Sequence, residues 1–196
     1  MEAIRISQEK NITEWIQQNG LELFQLLGMK KDQTVVDFGC GSGIYSVTAG
    51  KAVGENGIVY AVDEERRNLE QILSKTKNLD LKNIFTINKN DFQKLKGKNN
   101  FVDFVLLFDV LHYFDKDNRE ELYKTFRQML TTNGKIVIYP KHTKENWPMW
   151  NLSDVSNNDL QKEIEKHGFY FKETLEAILV HDNEFEKGTI YVFEKR

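Results

Sequence analysis

The chain has 196 residues, 40% of them hydrophobic and only two of them proline, a composition that suits one globular domain with a sizeable core. Charges nearly cancel to a net −3, with a pI near 5.9, so no general attraction to nucleic acid or anionic lipid is built in. The single cysteine, Cys40, excludes an internal disulfide and a cysteine-based metal cluster.

The opening residues MEAIRISQEKN lack the basic and apolar regions of a signal peptide. The most apolar segment, 101–114, is broken by Asp103 and Asp109 and is too short to span a bilayer. A cytoplasmic protein without membrane insertion is therefore expected. Residues 1–32 carry apolar positions at Ile12, Trp15, Ile16, Leu21, Leu23, Phe24 and Leu27. They read as one or two helices of the same domain, packed on a sheet edge or closing over a site as a lid. TVVDF at 34–38 is a short buried-type strand, followed through a glycine loop by a helix over 44–54. GIVYAVD at 57–63 predicts a second strand and EERRNLEQILSKTKN an amphipathic helix. Strands follow at 83–88 and 101–108, then a helix over 117–130 with Leu122, Phe126 and Leu130 on one face. Asn133-Gly134 predicts a turn into a strand at KIVIYP, and DLQKEIEKHGF predicts another helix. Strands alternating with helices indicate a doubly wound α/β domain with a mostly parallel sheet. The last two runs, 174–182 and 189–196, are separated only by NEFEKG, so they should pair as an antiparallel hairpin.

Ligands of such sheets bind beyond the carboxyl ends of the strands, where the loop VVDFGCGSG at 35–43 falls. Its glycines allow a tight turn and close backbone approach, and the helix after it offers free amides to an anion. A dinucleotide loop requires G-x-G-x-x-G, and the third position here is Ile44. Asp37 stands two residues before Gly39, an awkward neighbour for a pyrophosphate but a good one for an ammonium group. S-adenosylmethionine carries an ammonium, a sulfonium and one carboxylate, and fits that pattern.

With IVYAVD, KNDF and FVDFVLLFDVLHYF downstream, the chain resembles the class I S-adenosylmethionine-dependent methyltransferases from residue 33 to its end. In pattern it is similar to the small soluble members that methylate quinone precursors and other small metabolites. The resemblance implies a Rossmann-like seven-stranded sheet in the order 3-2-1-4-5-7-6, and a cofactor-binding domain over 33–196. It implies that Asp37, Gly39, Cys40, Gly41 and Gly43 wrap the methionine end of the cofactor, with Cys40 a small loop residue and not a nucleophile. Asp63 would hold the ribose hydroxyls, with Glu64 beside the adenine. Asn90, Asp91 and Phe92 would flank the adenine, Asp91 accepting from its amino group and Phe92 packing on the ring. Phe108 would meet the methionine portion by its backbone.

The candidates for proton removal follow the fourth strand, Asp109 and His112, with Tyr113 beside them. His112 packing locally is an equally open reading. His142, in the segment PKHTKENWPMWN, is expected at the rim on the acceptor side, and Trp147, Met149 and Trp150 there read as a substrate lid, or else as a cover for the sheet edge. His167 reads as a helix C-terminal charge, and His181 is expected on the hairpin away from the site. No metal is expected, because Asp109 by itself does not make the metal site of the catechol-type members. The Asn-Pro-Pro-Tyr signature of base-amine methylation is absent after Phe108. A small, partly apolar acceptor is expected. The alternatives are an RNA- or protein-directed enzyme, hinted at by the lysine-rich stretch 89–98, and a non-catalytic cofactor-binding partner or sensor. Neither the acceptor nor the oligomeric state is legible.

Overall fold

The computed structural model describes residues 11–95 and 98–196. Seven strands form one sheet in the order β3-β2-β1-β4-β5-β7-β6. β1 (Thr34–Phe38), β2 (Ile58–Asp63), β3 (Ile84–Asn88), β4 (Val102–Phe108) and β5 (Leu130–Tyr139) run parallel. β7 (Glu184–Lys195) lies antiparallel to β5, and β6 (Phe169–His181) antiparallel to β7.

Successive residues of a strand point to opposite faces, so central strands buried on both sides must be apolar throughout. Val35, Val59, Leu106 and Val137 meet one face layer, and Val36, Val105, Ile136 and Ile138 the other. The first layer includes α1 (Asn19–Leu26), α2 (Ile44–Val53) and α3 (Arg66–Asn78), represented by Phe24, Val47 and Ile72. The second includes α4 (Lys116–Met129) and α5 (Asn157–Lys166), represented by Leu122, Phe126 and Ile164. Capping sets where the second pair begins: Asp115 accepts from the Asn118 amide at 2.9 Å and Ser156 from the Asp159 amide at 3.0 Å.

Two expectations shift. Asn133-Gly134 lies inside β5, where the register against β4 jumps from Leu130 opposite Val102 to Lys135 opposite Phe104. The turn chemistry is spent on a protrusion of the strand instead of separating a helix from it. The stretch NEFEKG is not the hairpin loop: only Asp182 and Asn183 separate the strands, both left-handed at φ +49° and +65°. A two-residue loop with both φ positive matches the twist of the strands it joins, so the paired segments run to the tip. Residues 11–17 are helical like α1, and Trp15, Ile16, Leu23 and Phe24 share the first core layer. Residues 1–10 of the expected lid lie outside the described residues. No described helix is long and apolar enough to cross a membrane.

Candidate active site

The carboxyl ends of β1, β2 and β4 and the hairpin tip surround a cavity of about 560 Å³, a volume suited to a cofactor-sized ligand. The glycine loop forms one wall, suspended from β2 by the amides of Gly39 and Cys40, which donate to the Val62 carbonyl at 2.8 and 3.0 Å. Gly39 has φ +79°, and a Cβ there would fall 2.2 Å from Val110 Cγ2, so both backbone and space demand glycine. Gly41 has φ +50° with open space where a Cβ would stand, so its bare backbone leaves a cradle on the cavity side. Gly43 caps α2 without any side-chain bond, and Ile44 and Tyr45 of that helix's first turn line the cavity, while the Ser46 amide is turned to Asp37.

Asp63, at the end of β2, is buried and anchors the opposite lip. Its Oδ2 accepts from the Gly41 amide at 2.8 Å, while Oδ1 accepts from the Glu65 amide at 2.8 Å and Asn68 Nδ2 at 3.2 Å. Glu64 and Lys89 line the cavity beside it, paired at 2.9 Å. Asp37 is sealed behind the loop and accepts from Ser46 Oγ at 2.5 Å; burial pushes its carboxyl up to about 7, against the lowering effect of that hydrogen bond. Burial also drives the Cys40 thiol far above its usual range, which suits a packed loop residue and not a nucleophile. Phe108 reaches the cavity with its ring edge-on to Tyr45 at 4.6 Å.

Glu64 is on this wall as expected, but Asn90, Asp91 and Phe92, expected to flank an adenine, are not. Phe92 is buried in the core against Phe38 and Phe126, at 5.3 and 6.0 Å between ring centres. Asp91 pairs with Lys94 at 2.6 Å, and the Asn90 amide donates to Asn88 Oδ1 at 3.0 Å. The apolar i, i+1 neighbour of Asp91 is drawn into the core because the short 3-10 turn at Asp91–Lys94 presents it to the sheet.

At the far end of the cavity, Asp109 and Tyr113 line the wall, whereas His112 is buried behind them. Burial, with His142 and His181 adding to it, holds the His112 imidazole down at about 4. Trp150 packs on His112 and Tyr113 at 5.1 and 4.8 Å between ring centres, and its own side is 57% exposed, as is 76% of Trp147. These two indoles therefore form an aromatic rim outside the cavity wall. His142 is buried, its ring 4.4 Å from that of His112.

His181 is where the expectation fails most clearly. It lines the cavity, with Nδ1 2.7 Å from Asp109 Oδ2. β6 runs parallel to β5 because two antiparallel pairings restore direction, so its C-terminus arrives at the ligand end of the sheet. Tyr45 then ties it down: its hydroxyl donates to the Val180 carbonyl and accepts from the Val180 amide, both at 3.0 Å. Trp15 Nε1 donates to the Ile178 carbonyl at 3.0 Å. Tyr45 and Asn68 also went unnoticed in the sequence. An asparagine five residues after a strand-end acid is a usable signal for the latter, while nothing local marks the former.

The site thus joins a backbone-and-carboxylate cradle to a carboxylate ringed by imidazoles. Residues 35–134 match the family described as a methyltransferase domain, half of the chain. The chain belongs to that family, with the seven-strand sheet of its class I S-adenosylmethionine-dependent members, and is a methyltransferase. No curated protein matches the sequence. Among solved structures it is similar to a SAM-dependent methyltransferase from Aquifex aeolicus, with 19% identity and a TM-score of 0.69 over 93% of this chain and 97% of that one. It is also similar to magnesium protoporphyrin IX methyltransferase from Synechocystis PCC 6803 with bound SAH, at 16% identity and TM-score 0.65 over 100% and 86% of the two chains. Fibrillarin from Aeropyrum pernix, with natively bound S-adenosyl-L-methionine, aligns at 17% identity and TM-score 0.62 over 84% and 67%. At these identities the likeness is one of fold.

Proposed function

We propose that the chain transfers a methyl group from S-adenosylmethionine to a small, partly apolar metabolite. The observation that carries the reading is the Gly41 cradle bonded to Asp63 at one end of a cavity whose other end holds Asp109 and the aromatic rim. The donor, when bound, supplies an electrophilic methyl on a sulfonium. A carboxylate has about four acceptor positions, and Asp63 uses three, leaving Oδ2 room for a ribose hydroxyl. The first amides of α2, at Ile44 and Tyr45 on the cavity lining, take the amino-acid carboxylate. Asp37 is off the wall, so it acts on the donor's ammonium through the loop and not by contact, and by charge only once its raised carboxyl has lost its proton.

Proton removal from an acceptor falls to Asp109, the predicted candidate that lines the cavity, with His112 positioned behind it. Holding the acceptor in line and excluding water is the larger task, and Tyr113, Trp150 and Trp147 supply an apolar surface at the mouth. The size of the cavity and that rim favour a small acceptor. Lys89 and Lys94 of the lysine-rich stretch are engaged by Glu64 and Asp91, which removes much of the hint of a polyanion surface there. Calorimetric titration tests the donor assignment: wild-type protein binds S-adenosylmethionine, and Asp63→Ala binds it about 10- to 100-fold more weakly. Unchanged affinity in a folded Asp63→Ala protein would overturn the assignment.

A further inference from the structure

Three of the chain's four histidines converge on one carboxylate. Asp109 and His142 follow β4 and β5 and His181 ends β6, so three strands deliver one cluster to the acceptor end of the cavity. One ligand atom from each of these three residues lies within 4.8 Å of the others. We infer that Asp109, His142 and His181 form a site for a divalent transition-metal ion of the zinc class, with an open position that takes an anionic oxygen of the acceptor.

The proton arrangement carries the argument. His142 Nδ1 lies 3.0 Å from the Trp147 carbonyl, which accepts only, so Nδ1 bears the proton. In the neutral ring the Nε2 lone pair then faces Asp109 Oδ1 at 3.4 Å. That oxygen is buried and accepts no hydrogen bond. Two acceptors facing each other in a buried place repel, and a cation between them satisfies both. Neighbouring ligands of a tetrahedral zinc, bound at about 2.0–2.1 Å, stand about 3.3 Å apart, close to the spacing found here.

The surroundings are those of a ligand set. A metal-binding histidine commonly donates its second N–H to a carbonyl or carboxylate, which fixes the ring. The Trp147 carbonyl does this for His142, and Asp182 Oδ2 stands 3.3 Å from His181 Nε2 to do the same there. Loading the ion then requires His181 to carry its proton on Nε2 in place of Nδ1, which now contacts Asp109 at 2.7 Å. Two imidazoles and a carboxylate suit zinc, cobalt, nickel, manganese or ferrous ions better than magnesium or calcium, which prefer oxygen alone. Three protein ligands leave a coordination position open, the mark of a reactive metal rather than a structural one. Asp109 and His181 both line the cavity, so that position faces the acceptor. An ion there lowers the pKa of a bound hydroxyl and so takes over the proton-removing task that falls to Asp109 in the metal-free site, which makes a phenol, enol or hydroxy-acid oxygen the class of acceptor the site selects.

The metal site stands on its own geometry; only its use in selecting an acceptor rests on the methyl-transfer reading. The test is calorimetric titration of chelator-stripped, tag-free protein with zinc chloride, beside magnesium chloride and, separately, S-adenosylmethionine. One equivalent of zinc is expected, with at least about 100-fold weaker binding in His142→Ala and in His181→Ala, and little response to magnesium. His181→Ala changes a side chain that is only partly buried, and far-UV circular dichroism with a wild-type-like urea midpoint shows that it is folded. Absence of zinc binding by the folded wild type, or zinc affinity in both histidine variants equal to that of wild type, overturns the inference. Donor binding without zinc binding refutes the metal site alone, and zinc binding without donor binding refutes the methyl-transfer reading alone.

Discussion

Gly39 and Gly41, two residues apart, illustrate how single residues divide the labour of the loop. Gly39 is required by the fold: Gly39→Ala combines a left-handed backbone with a Cβ driven into Val110, and should cost about 3 kcal/mol in urea denaturation. Gly41 has no neighbour at its Cβ position, so Gly41→Ala should cost only about 1–2 kcal/mol of backbone strain while its methyl occupies the cradle. Loss of S-adenosylmethionine binding with a folded protein is therefore expected for Gly41→Ala, and general instability for Gly39→Ala. Asp37 gives a pH signature. Its carboxyl is raised from 3.8 to about 7 by burial, so the folded chain keeps a proton that the unfolded chain has lost. Its contribution is complete below about pH 4 and disappears as pH rises through 7. Asp37→Asn keeps an acceptor for Ser46, and urea titrations of the ligand-free protein at pH 5 and 8 should show a smaller pH effect than in wild type. The glycine spacing, Asp37 and Asp63 were legible because each acts on its own strand end or turn. His181, Tyr45 and Asn68 were not, since their roles arise from partners brought in by the sheet, such as Val180, 135 residues from Tyr45.

Among the elements, α4 and α5 are joined by a buried ion pair that also steadies the aromatic rim. Arg119 donates from Nε and Nη2 to the two oxygens of Glu163, both at 2.9 Å, and Tyr123 donates to the same carboxylate at 3.1 Å. The remaining Arg119 nitrogen, Nη1, reaches the carbonyls of Phe114 and Asn151 at 2.8 and 3.3 Å. Asn151 stands beside Trp150, and its Nδ2 donates to the His112 carbonyl at 3.1 Å, so the guanidinium braces the rim from below. Removing one partner of such a pair leaves a buried charge, and Arg119→Met should destabilise the protein by about 3–5 kcal/mol. The double variant Arg119→Met/Glu163→Leu should recover part of that loss in the same denaturation assay. The helices themselves were readable from their apolar spacing, and Leu122 and Phe126 are buried as that spacing requires. The extents of β5 and of the hairpin strands were not readable. Pairing with β4 and β7 overrode the turn character of Asn133-Gly134 and extended the ladder through NEFEKG.

For the molecule as a whole, strand direction determines which residues meet. The alternating pattern announced a parallel sheet and the family resemblance its order, and every strand that runs with β1 ends on the side of the sheet where the cavity lies. Applied to β6 as well, the same rule brings His181 to Asp109, a pairing no local motif announces. One bond pair gives this arrangement a thermodynamic consequence. Tyr45 belongs to the first turn of α2, next to the donor cradle, and it grips both backbone groups of Val180, the residue before His181. A ligand that stiffens the start of α2 therefore stiffens the hairpin tip, and occupancy at the tip must favour the cradle by the same factor. Hydrogen exchange at the Val180 amide should slow when S-adenosylmethionine binds, and Tyr45→Phe should abolish that response while leaving the two sites able to fill independently. Cooperativity between the methyl donor and whatever occupies the imidazole cluster would then reside in a single phenolic oxygen.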